Sequence, residues 1–297
     1  MKIQVAVDQN SYSSHAVLEV AKLAANTWAN VSLLGVQPKH TTETKAAGDN
    51  GGPQIATGPV QKALFDLRRD FFAYFKDKAC PYPCTDPEGT LNEVSRGIYA
   101  AASPAEQGKK DFTLRMRIGS PVKEILAEAR ERESDLIVLG CDQDDGCGWS
   151  GDAGVPRKVA NDAPCSVLVV KKKKKIDRII CCLDHDRVSQ SSLEMINQMV
   201  TLHGAQLTVI GLSDHMSLKA EVEKKMDNIL RYYYARDIDP WIEMVEIASL
   251  DAFIAQESRR GLMALWMGKE SILAKVFPRS KVDKLIKGSD TSVLILR

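Results

Sequence analysis

Residues 135–170 read DLIVLGCDQDDGCGWSGDAGVPRKVANDAPCSVLVV, in which an apolar strand, a glycine-bearing loop, a short helix and a second apolar strand follow without a gap. A parallel α/β sheet uses that order to present a loop and a helix N-terminus to a phosphate. The apolar runs 136–139, 167–170, 207–212 and 262–266 largely lack alternation, which predicts strands covered by helices on both faces.

The chain of 297 residues exceeds one ordinary domain, and it repeats itself. Residues 2–36 read as an apolar strand (2–7), a polar turn from Asp8, an amphipathic helix near 13–27 and a second strand (31–36). Residues 176–212 repeat that order, with Asp184 answering Asp8 and Leu212 answering Val36. The stretch 262–297 mirrors 135–170, with Gly268 set against Gly140 and residues 292–296 against the first closing strand. Two domains are expected, 1–170 and 176–297. A run of lysines, 171–175, forms a solvated linker between them.

The motif resembles the C-terminal signature of the universal stress protein family. There a strand ends in G-x2-G-x9-G-(S/T), and a helix leads to a strand of the type A-P-C-S-V-L-V-V. Gly140 fills the first position, Ala153 and Gly154 the last two, and 163–170 the closing strand. Because motif, spacing and order agree twice, the resemblance covers nearly the whole chain as a tandem member. It implies an α/β architecture of two doubly wound, Rossmann-like domains similar to adenine nucleotide alpha hydrolases. Each would carry a five-stranded parallel sheet in the order 3-2-1-4-5. Family members often pair through the last strand, a pairing that two copies on one chain can make intramolecularly.

In the nucleotide-binding relatives the residue matching Asp8 or Asp184 faces the adenosine, the one matching Val36 or Leu212 lines the adenine, and the glycine loop holds phosphates. This chain departs from that pattern. Gln143, Ala153 and Gly154 stand where ATP-binding members have Gly, Gly and Ser/Thr, leaving the loop less free to wrap a phosphate and one hydroxyl short. Asp142, Asp144, Asp145 and Asp152 crowd the loop, with no basic residue before Arg157. Such a loop repels a triphosphate unless a divalent cation intervenes. Either aspartate also admits a local role, capping the next helix or satisfying turn amides. The second loop, 268–281, keeps Gly268, places Ser271 at the second-glycine position and aligns Arg279 and Ser280 with the final Gly-Ser. Lys269, Lys275, Arg279 and Lys281 against Glu270 make it attractive to anions. Arg279 either binds a phosphate or fills its space, and occlusion is expected because a long side chain replaces a glycine.

The first repeat is longer because of an insertion at about 38–110. Residues 41–58 read as a mobile loop and 60–79 as an amphipathic helix with Leu64, Leu67, Phe71, Phe72 and Phe75 as a core stripe. A further helix is expected at 91–103 and the third strand at 112–117.

Forty basic against thirty-nine acidic residues give no general electrostatic reason to bind nucleic acid or membrane. No apolar run approaches the ~20 residues of a membrane span. Asp8 cuts short the first apolar stretch, so no export signal is expected and the cytoplasm is the expected compartment. Seven cysteines are then expected as reduced thiols, with Cys165, Cys181 and Cys182 as small core residues. Cys80 with Cys84, and Cys141 with Cys147, are weak candidates for a metal or redox pair, since C-x3-C is only permissible for zinc and C-x5-C lies outside the pattern. The five histidines show no metal-ligand spacing, and no nucleophile elbow or Walker loop is present. His185, between two aspartates, reads as a solvent-exposed turn residue. The leading expectation is a non-catalytic cytoplasmic stress-response module with degenerate nucleotide loops and unknown protein partners, self-association through sheet edges among them. The alternatives are a sensor with one surviving site for ATP or another adenine nucleotide, with Mg, and, below it, a thiol or metal sensor.

Overall fold

The computed structural model describes residues 1–39, 58–83, 91–102, 108–142, 148–149, 152–171, 175–183, 189–213, 219–268 and 272–297. Residues 41–57 of the loop expected at 41–58, together with Cys84, Gln143, Asp144, Asp145, Cys147, Asp184, His185, Lys269, Glu270 and Ser271, lie outside them. Two compact units divide the chain, Met1–Pro164 and Cys165–Arg297.

The first unit opens with β1 (Lys2–Val7), α1 (Ser11–Asn26) and β2 (Asn30–Gln37). β5 (Phe112–Ile118), α3 (Pro121–Glu131), β6 (Leu136–Gly140) and α4 (Val155–Asp162) continue the α/β alternation. The strands β6, β1, β2 and β5 lie side by side, all parallel. β6 is buried along its whole length and reads as an unbroken apolar run, and β1 is buried beyond Lys2, where the polar Gln4 donates its Nε2 to the carbonyl of Ile125 at 3.0 Å.

The insertion supplies α2 (Pro59–Ala73), β3 (Asn92–Ser95) and β4 (Ile98–Ala102). The stripe on α2 is core: Phe71 lies 4.8 Å from Phe112 and 5.4 Å from Tyr82 between ring centroids, and Tyr82 donates its hydroxyl to the carbonyl of Ala29. The helix expected at 91–103 is instead a β-hairpin. Arg96 and Gly97 form its two-residue turn, Gly97 adopts φ +74°, and β4 runs antiparallel along β5. Gly97 supplies the positive φ that a tight hairpin turn needs. Four parallel strands of the first unit are thus extended by an antiparallel hairpin, and the closing strand of the repeat, 166–170, falls in the second unit.

Lys110 is buried and donates from Nζ to the carbonyls of Ala24 (2.8 Å) and Thr27 (2.5 Å), closing the C-terminus of α1. Burial lowers its pKa.

The second unit contains β9 (Ser166–Val170), β10 (Arg178–Cys182), α5 (Gln190–His203), β11 (Gln206–Ser213) and α6 (Lys219–Tyr234). β12 (Trp241–Glu246), α7 (Leu250–Glu257), β13 (Leu262–Trp266), α8 (Ile272–Val276), α9 (Arg279–Gly288) and β14 (Val293–Leu296) follow. Five strands are parallel in the order β12-β11-β10-β13-β14, as expected. β9, the closing strand of the first repeat, belongs to this compact unit and pairs antiparallel with β14, so the two last strands meet within one chain. Lys171 is accordingly buried, its amide bonded to Ser292 Oγ at 3.2 Å, while Lys175 is exposed. The lysine run is therefore not uniformly solvated.

The candidate crevices at the strand ends

β1 ends in a turn that engages Asp8 locally. Its carboxylate is buried and accepts through Oδ1 from the Asn10 amide (3.0 Å) and Ser13 Oγ (2.9 Å). Through Oδ2 it accepts from Asn10 Nδ2 (2.7 Å) and Tyr12 Oη (2.5 Å). Four donors occupy the lone-pair sites of its two oxygens. Burial, reinforced by the bond to Asp8, raises the pKa of the Tyr12 hydroxyl, which stays a donor throughout the neutral range.

The register that pairs Val7 with Gly35 and Ala6 with Leu139 brings Asp8, Val36 and Gly140 to neighbouring strand ends, so three expected site residues do converge. Val36 is buried. At Gly140 the space beside the backbone is already filled, because an added Cβ would stand 2.3 Å from the carbonyl oxygen of Tyr12 and 2.6 Å from its carbonyl carbon. The close approach that a phosphate would make is made here by the first turn of α1. Trp149, in a short hairpin of β7 (Gly148–Trp149) and β8 (Asp152–Ala153), is buried with its ring 6.2 Å from that of Tyr12. Gly154 follows in the left-handed conformation (φ 81°, ψ 22°) as the N-cap of α4.

Outside Asp8 lies a groove of about 310 Å³ that α2 of the insertion helps to line. Asp66 and Asp70 face it with Asp8, against Lys62 alone. Sequence reasoning missed these residues, since α2 carries no motif and only its apolar stripe was read.

In the second unit the same crevice is closed differently. Cys182 pairs with both Ile210 and Leu265, as Ala6, its counterpart, leads to Leu139. The residue after Leu265, standing where Gly140 stands, is Trp266, and Gly268 lies two residues beyond. The expected match of Gly268 to Gly140 is therefore shifted. The Trp266 indole is buried and folds under Gly268, where a Cβ would meet its ring at 2.6 Å. Leu212 is buried on β11. Arg279 and Ser280, aligned with the final Gly-Ser of the motif, open α9 and are exposed. Lys281 is tied to Asp251 at 2.6 Å and to the carbonyl of Val276 at 3.0 Å, which reduces the free positive charge of the loop.

A sequence profile described as the universal stress protein family matches residues 1–171. The chain belongs to this family. No curated protein matches it. Among solved structures, a universal stress protein from Archaeoglobus fulgidus DSM 4304 is similar over 100% of this chain and 96% of its own (TM-score 0.57, 13% identity). Proteins from Pseudomonas aeruginosa PAO1 (TM-score 0.54, 15% identity) and Pseudomonas aeruginosa UCBPP-PA14 (TM-score 0.59, 15% identity) are each similar over 99% of this chain and 92% of theirs. At such identities the likeness is one of fold.

Main chain occupies the first-glycine space in one unit and an indole occupies it in the other. Cys181 and Cys182 are fully buried, and burial raises both thiols, that of Cys182 to about 12. The half-buried Cys80 donates its thiol to the carbonyl of Tyr82 at 3.4 Å. Cys141 is disulfide-bonded, which departs from the expectation of uniformly reduced thiols. Among the described residues no three His, Cys, Asp or Glu side chains gather to hold a metal, and no helix is long and apolar enough to cross a membrane.

Proposed function

We propose that this chain is a non-catalytic, cytoplasmic regulatory member of the universal stress protein family that works through its surfaces and does not bind a nucleotide. One observation carries the reading: the first-glycine position of both phosphate loops is filled from within the protein, by Tyr12 main chain in one unit and by Trp266 in the other. The acidic lining of the first groove supports it, since Asp8, Asp66 and Asp70 oppose a polyphosphate. The working surfaces are then the strand edges, β3 and β12, both largely exposed, where copies or partners can pair.

Calorimetric titration with ATP, ADP and cyclic AMP, with and without Mg²⁺, tests this directly. No binding heat is expected, and no nucleotide should be released when the purified protein is denatured. Stoichiometric binding of any of the three would replace this reading with that of a nucleotide sensor.

A further inference from the structure

The third strands of the two units can be compared residue by residue. Gly35 pairs with Met116 on β5, and Gly211 pairs with Met244 on β12, so Met116 corresponds to Met244, Arg115 to Glu243 and Leu114 to Ile242. Their surroundings differ. Along β5 the hairpin strand β4 runs antiparallel, setting Ala101 against Leu114 and Ala100 against Arg115, and Leu114 is 1% exposed. Among the described residues β12 pairs with β11 alone, and Ile242 is 45% exposed with Trp241 at 65%. An open strand edge carrying large apolar side chains is a template for another strand, and proteins ordinarily blunt such edges. The chain itself shows in its first unit what covers this position: an antiparallel strand with small apolar residues.

Charge narrows the identity of the occupant. The approach to β12 and the strand itself carry the exposed acids Asp237, Asp239 and Glu243. The nearest base along the chain, Arg236, is stacked on Tyr232 at 3.7 Å. Pairing two β12 strands would bring both acidic sets together, which disfavours a second copy.

We propose that the edge of β12 captures an extended segment of a partner protein, pairing antiparallel and presenting aliphatic or aromatic residues to Trp241 and Ile242 and basic residues to Glu243 and Asp239. This rests on the surface-acting reading above. Main-chain hydrogen bonds would supply the affinity and the side chains the selection, as in strand addition generally.

The complement read along the strand from Glu246 back to Asp239 is Thr-Val-Val-Lys-Val-Tyr-Gly-Lys. A fluorescein-labelled peptide of that sequence, measured by anisotropy against the full chain, is expected to bind. Affinity should fall at least tenfold for Asp239→Lys/Glu243→Lys and for Trp241→Ala. It should disappear for the same peptide N-methylated at alternate residues, which keeps the side chains and removes the donors. All three substituted residues are exposed, and circular dichroism verifies that the variants fold. Absence of binding, or binding indifferent to N-methylation or charge reversal, overturns the proposal. Concentration-dependent dimerisation lost in Trp241→Ala would also overturn it, assigning the edge to a second copy. ATP titrated into the same samples separates the two readings: nucleotide binding with intact peptide capture rejects only the proposed function, and loss of peptide capture alone rejects only this inference.

Discussion

Gly140→Ala tests whether the signature glycine serves a ligand or the fold. The new methyl would stand 2.3 Å from the Tyr12 carbonyl oxygen, against 3.4 Å or more in ordinary contact, and main chain cannot swing aside as a side chain can. Relief requires the first turn of α1 to retreat by roughly 1 Å, an overpacking strain of about 1–3 kcal/mol. The same retreat stretches the 2.5 Å bond from Tyr12 to the Asp8 carboxylate. A hydrogen bond to a charged group is worth about 1.5–3 kcal/mol, of which part is lost. Replacing glycine stiffens the unfolded chain and returns about 0.4–1 kcal/mol. The balance is a destabilisation of about 2–3 kcal/mol, which at a urea dependence of about 2–3 kcal/mol per molar lowers the unfolding midpoint of the first unit by ~1 M. Urea titration followed by hydrogen exchange at β6 and α1 localises the loss. An unchanged midpoint accompanied by altered nucleotide binding would refute the reasoning and return Gly140 to a ligand.

Arg117→Met removes the guanidinium that Glu124 and Glu131 share and one of the two that hold the fully buried Glu128, which keeps Arg115, and should cost about 1.5–3 kcal/mol in thermal unfolding at pH 7. A cost under about 1 kcal/mol would mean that the carboxylates find water or other donors. The hydrogen bond from Arg117 holds Glu131 below its ordinary pKa of 4.5. The unfolded chain therefore takes up this proton first, and the stabilisation is whole above pH 4.5 and fades as pH falls through the lowered value. Acid titrations of wild type and Glu131→Gln should accordingly converge at low pH, whereas a gap that widened there would contradict the assignment. Phe71→Ala empties the centre of the aromatic cluster and should cost about 3–5 kcal/mol, with faster exchange in both α2 and β5. Faster exchange confined to α2 would show that the cluster is not shared with the sheet.

The parallel strands were legible because strands buried on both faces leave unbroken apolar runs, and the repeat was legible because Asp8 and Asp184 recur in the same context. The hairpin at 92–102 was misread because its alanines and alternating polar residues suit a helix. The signal that could have corrected this is Arg96-Gly97 between β-compatible segments. The shift from Gly268 to Trp266 was invisible for another reason. A motif search anchors on glycine, whereas pairing register is set by strand length and by partners distant in sequence. Asp8 was located correctly, but its four donors come from turn geometry that residue types alone do not specify. The acidic groove depended on where α2 lies, which only tertiary packing decides.

The exchange of Arg115 for Glu243 at matching positions bears on how the chain folds. Two near-identical topologies on one polypeptide invite strand swapping, the common failure of repeat proteins. Here a misthreaded β12 would press Glu243 against the buried Glu128 and offer Val245 where Arg117 belongs. Such a hybrid would confine like charges without counterions, while the displaced β5 would carry two arginines into a site lacking their carboxylates. The charge pattern thus disfavours the hybrid relative to the native sheets.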